Sequence, residues 1–124
     1  MTPYARVLLV SAAAVLLYDG VLSLASLHFG FDYASPGVLA GSSLIYTAAG
    51  YFGARARKRL RAGVAAGAFA GSVDATLGWL LSALLGPPHP ATGAGPLAIG
   101  IVVVWVIMIG AVFGAVGAFV GRRG

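Results

Sequence analysis

The sequence has no cysteine, asparagine, glutamine or glutamate, and a single lysine. Without cysteine there is no disulfide, no thiolate metal site and no cysteine nucleophile. The acids come down to Asp19, Asp32 and Asp74, and the histidines to His28 and His89. These residues form no Ser-His-Asp arrangement, no phosphate loop and no acid pair in a soluble cleft. No enzymatic activity, cofactor or metal is therefore expected; His28, Asp32 and His89 are too sparse to build a metal site.

Charge is equally scarce. Only 9% of the 124 residues are charged, against about a quarter in soluble domains. Some 60% are hydrophobic. A chain this short would leave much of that surface wet if it folded alone in water. Lipid removes the problem. The net charge of +5 does not point to nucleic acid, because the cations sit only at the ends of apolar segments, where they act as topology signals.

The densest cluster is Arg55, Arg57, Lys58, Arg59 and Arg61, read as a basic loop over 55–61 that divides two apolar halves. Four spans are expected, at about 4–27, 36–54, 62–85 and 96–120. Thr2-Pro3 and Ser35-Pro36 carry an N-cap followed by proline at the first helical position. Gly86-Pro87-Pro88 stops the third span. Ser23-Leu24-Ala25 resembles a signal-peptide cleavage site, but Asp19 would interrupt the apolar core such a signal needs. With four spans, Arg6, the 55–61 cluster, Arg122 and Arg123 all fall on one face, which the positive-inside rule places in the cytoplasm together with both termini. The seven-to-one excess of Arg over Lys points to a GC-rich bacterial genome, and so to the inner membrane. The expected fold is an all-α integral membrane protein, a single bundle of two helical hairpins.

Glycine is the remaining abundance. Gly63, Gly67, Gly71 and Gly78 line the third span, and Gly110, Gly114, Gly117 and Gly121 the fourth. Small residues let helix backbones approach closely in lipid, where hydrophobic drive between helices is lacking. These spans are expected to cross in their cytoplasmic halves, although the same stripes would serve a homo-oligomer.

The sharpest chemical signal is Asp19 and Asp74, each near the middle of a span. An aspartate there costs on the order of 2.5–3.5 kcal/mol to insert and is normally turned inward. Ser23 shares the face of Asp19, and Ser43, Tyr46 and Thr47 supply hydrogen-bonding groups at similar depth. No basic residue lies within a span to neutralise the carboxylates. Sharing a proton or binding a cation would satisfy them if they meet; the other reading is two protonated acids, each bonded to a Ser, Thr, Tyr or backbone carbonyl and locking helix register.

Small multidrug exporters and fluoride channels have this length and span number, but the former are built around a glutamate and the latter need an asparagine, and both residues are missing. The residues alone support two main readings, with lipid or hydrophobic small-molecule binding between the spans as a third. One is a non-enzymatic helix-packing component, self-associating or attached to a larger membrane partner. The alternative is a proton- or cation-linked channel or transporter using Asp19 and Asp74.

Overall fold

A computed structural model describes residues 1–30, 36–85 and 95–123. They form helices joined by short connections, with no strand among the described residues. Helix α1 spans Pro3–Phe29. The Thr2 hydroxyl accepts the Ala5 N–H at 3.1 Å and Pro3 occupies the first turn. The helix closes on Gly30, whose φ of 70° is left-handed and whose N–H donates to the Ser26 carbonyl at 2.8 Å. Helix α2 spans Pro36–Arg57. Helix α3 spans Leu60–Leu85, and α4 spans Pro96–Arg123.

Helices α1, α3 and α4 are long and apolar enough to cross a membrane. Helix α2 falls short of that measure, because it carries Ser42, Ser43, Tyr46 and Thr47 and ends in Arg55 and Arg57.

The basic run is not the loop that composition suggests. Arg55 and Arg57 are still helical, Leu60 already begins α3, and only Lys58 and Arg59 turn the chain. Arginine is a good helix former, and cations at a helix C-terminus complement its dipole. Aromatic rings hold these side chains as well: the Arg57 guanidinium lies 4.2 Å from the centre of the Tyr4 ring, and Arg55 donates to the Tyr51 hydroxyl at 2.9 Å. Lys58 takes a left-handed φ of 54°, and the Arg59 N–H reaches back to the Ala54 carbonyl. This is the glycine position of a helix C-cap, filled here by lysine.

The distribution of side chains is the reverse of a soluble core. Buried positions are mostly alanine, glycine and serine, with Tyr46, Asp19 and Asp74 among them. Leucine, valine, isoleucine and phenylalanine point outward: Leu17 is 71% exposed, Leu44 72% and Leu84 74%. Water would penalise such a surface heavily, whereas hydrocarbon matches it.

Helices α2, α3 and α4 pack tightly at the end that carries Arg55, Arg57 and Lys58. Gly63 lies against Ala118 and the Gly50 carbonyl, Gly67 against Gly110 and Gly114, and Gly121 against the Tyr51 carbonyl. Helix α1 lies along α2 and α3, tied by Tyr4 to the Ala62 carbonyl at 2.9 Å and by Tyr18 to the Val38 carbonyl at 2.7 Å. The start of α1, the α2–α3 turn and the end of α4 therefore share one end of the bundle. All eight cationic side chains lie there.

Candidate functional site

Helix α1 buries one stripe, Ser11, Val15, Asp19, Ser23 and Ser26, at spacings of three and four residues. Residues so spaced stack on a single face. Polar groups thus make up almost the whole inner face of a helix whose outer face is leucine and valine. Asp19 is 2% exposed.

Asp74 comes to the same place by a different device. It opens a π-helical turn, Asp74–Gly78, between the α-helical stretches Leu60–Val73 and Trp79–Leu85 of α3. The Trp79 N–H reaches back five residues to the Asp74 carbonyl. Such a turn inserts a residue into the helix and rotates the segment beyond it, and it is found disproportionately at functional sites.

The rotation turns Gly78 toward α1. A Cβ at position 78 would collide with Asp19 Oδ2 and lie 3.1 Å from Asp74 Oδ1. The two carboxylates therefore face the same glycine, at most about 5 Å apart, a separation at which their charges are coupled. The Tyr46 hydroxyl, 2% exposed, donates to Asp74 Oδ2. Ser23 Oγ donates to the Asp19 carbonyl at 2.6 Å and lies 2.9 Å from Ser82 Oγ on α3.

A cavity of about 120 Å³ adjoins the pair. Asp19, Asp74, Ser42, Ser43, Tyr46 and Trp79 line it, with Val38, Leu39, Val106 and Ile109 supplying apolar walls. One water needs roughly 10–15 Å³ of such space, so the cavity has room for several, or for a partly hydrated ion. No cationic side chain lines it.

The chain matches no known protein family, curated protein or solved structure.

Of the residues singled out from sequence, Asp19, Asp74, Ser23 and Tyr46 come together. Ser43 lines the cavity, although its hydroxyl is turned back onto the Leu39 carbonyl at 2.8 Å. Thr47 lies elsewhere: its hydroxyl bonds the Ser43 carbonyl at 2.8 Å and its own carbonyl abuts Gly117 of α4. Gly78 is not part of the packing stripe to which its spacing assigned it, since the π turn hands it to the carboxylates. Gly117 and Gly121 pack on α2 rather than α3. Ser82 and Trp79 were not anticipated. Ser82 lies beyond the π turn from Asp74, and that turn, which leaves no mark in composition, breaks the helical spacing by which Ser82 could have been placed. Trp105 is 60% exposed, while Trp79 faces the cavity. Asp32 and His89 lie outside the described residues, and the described residues hold no cluster of three metal-ligating side chains.

Two carboxylates and a phenol, enclosed by apolar walls, have a narrow chemistry. Two bare carboxylates this close would repel, and protonation of one or both, or a bound cation, would relieve it.

Proposed function

We propose that this is a four-span membrane protein whose carboxylate pair, Asp19 and Asp74, binds one proton or one monovalent cation and links its occupancy to passage across the bilayer. Helix α2 serves as the remaining span, its serines, Tyr46 and Thr47 tolerated because they face neighbouring helices or bond their own backbone. The basic end faces the cytoplasm of a bacterium by the positive-inside rule, with both termini on that side. The convergence of the two aspartates on Gly78 carries this reading. Carboxylates within a membrane are costly to keep, and those that face a polar cavity mark ion and proton pathways. The chemistry is non-covalent, and no cofactor is required.

The test is flux in liposomes under proton, sodium and potassium gradients, comparing the wild type with Asp19→Asn and Asp74→Asn. Both variants keep hydrogen-bonding capacity and are expected to fold, eluting as the wild type does, while flux falls to background. Full flux in either folded variant would remove the proposal.

A second reading, an accessory packing component, is supported by the first part of α4, where Leu97, Ile101, Val104, Trp105 and Met108 are all exposed. The glycine stripes give it less support, because within the chain they are already occupied by neighbouring helices. A larger protein co-purifying in mild detergent, together with no flux, would favour this reading.

A further inference from the structure

A second cavity lies between α1 and α2, far from the carboxylates in character. It is a lateral groove of about 390 Å³, lined by Arg6, Val7, Val10, Ser11 and Ala14 of α1 and by Ile45, Ala48, Ala49 and Phe52 of α2. The groove exists because Ala14, Ala48 and Ala49 are too small to fill the space between the helices. It stays open because α1 is pinned beyond both its ends, by Tyr4 to the Ala62 carbonyl and by Tyr18 to the Val38 carbonyl.

Its polarity is graded. The Ser11 hydroxyl is spent on the Val7 carbonyl at 2.7 Å, so the depth of the groove offers hydrocarbon and methyl groups alone. Arg6 sits at the basic end of the bundle. Arg55 is engaged with Tyr51 and Arg57 with Tyr4. Arg6 has neither a ring contact nor an ion pair among the described residues. From Arg6 to Ala14 the groove runs about 12 Å along α1.

We propose that this groove binds an anionic phospholipid of the cytoplasmic leaflet. One acyl chain lies between α1 and α2, and the Arg6 guanidinium holds the headgroup phosphate. An apolar slot that opens sideways into a bilayer does not hold water, and the neighbouring hydrocarbon is a lipid chain. Guanidinium binds phosphate through paired hydrogen bonds, and an arginine at the leaflet surface favours anionic over zwitterionic headgroups. This inference rests on the membrane placement and not on the aspartates, and its readout is bound lipid rather than flux, so the two proposals stand or fall separately.

The experiment is native mass spectrometry of the full chain in mild detergent, supplied with equal amounts of phosphatidylglycerol and phosphatidylcholine. The wild type is expected to retain phosphatidylglycerol preferentially. Arg6→Gln should weaken that retention about fivefold, the order expected for one basic residue at an anionic surface. Ala48→Phe, at a surface position where the fold tolerates bulk, should fill the groove and displace both lipids. Arg123→Gln, at a residue that does not line the groove and stacks on Phe119, should bind as the wild type does. Wild-type retention in Arg6→Gln, or in a folded Ala48→Phe, would overturn the proposal. Displacement of the lipid by inorganic phosphate would show a free-anion site instead and overturn it too. A dimer that Ala48→Phe converts to monomer would assign the groove to a second copy of the chain, which is equally fatal.

Discussion

At the basic end of the bundle, α2, α3 and α4 meet backbone to backbone. Just past Gly71, around Asp74, they are held apart by side chains. In the first region a Cβ on Gly50 would strike the Gly114 carbonyl, and one on Gly67 would strike the Gly110 carbonyl and lie 2.5 Å from Gly114 Cα. The surfaces in contact there are backbone and small side chains, with no titratable group between them. In the second region two carboxylates, a tyrosine and a cavity of about 120 Å³ replace the glycines. The contrast shows how so small a chain keeps acids in its core. Close packing, which in lipid must hold helices together without a hydrophobic drive, is concentrated in one half, and the other half is left free to carry polar groups and space.

The two regions should respond differently to substitution. Gly67→Leu should be the most damaging change. Its side chain has only backbone to displace, so a loss on the order of 3 kcal/mol or more, the upper end for overpacking, is expected. Thermal or denaturant unfolding in detergent would read it; a near-wild-type midpoint would mean the glycine half is loose and the contrast false.

Tyr46→Phe comes next. It removes the hydroxyl that donates to Asp74 Oδ2 and leaves the ring in place. A hydrogen bond to a carboxylate is worth about 1.5–3 kcal/mol, so a smaller drop in the midpoint should accompany altered flux. Unchanged flux and an unchanged midpoint would make Asp74 independent of α2.

Ser82→Ala should matter least. The Ser23–Ser82 contact spans 2.9 Å between α1 and α3, and interhelical hydrogen bonds in membranes average about 0.6 kcal/mol. If its effect exceeded that of Tyr46→Phe, the polar half would be organised around the serines and not around the carboxylates.

How much of this is legible in the sequence depends on the kind of signal. The helices announce themselves through long apolar runs, through Pro3, Pro36 and Pro96 at their starts, and through the cations gathered at particular ends. Gly63, Gly67, Gly110 and Gly114 are readable as a packing surface because a four-residue spacing survives in any regular helix. Gly78 and Ser82 are harder. Gly78 closes the π turn and Ser82 lies beyond it, and a periodicity argument fails as soon as one residue is inserted into the helix. The basic stretch over 55–61 misleads for a different reason: its composition resembles a loop, yet arginine propagates a helix well, and stacking on Tyr4 and hydrogen bonding to Tyr51 hold two of its arginines at the end of α2.

Composition and patterning alone determined that the chain is helical, that three of its helices are long and apolar enough to cross a membrane, and that Asp19 and Asp74 sit near the middle of theirs. Those properties come from transfer free energies and helical periodicity, which act residue by residue along the chain. Only the tertiary structure decided that the two carboxylates face one glycine, that the glycine stripes are consumed between α2, α3 and α4, and that a groove opens beside Arg6. These depend on the relative rotation of packed helices, a quantity that no single helix carries in its own sequence.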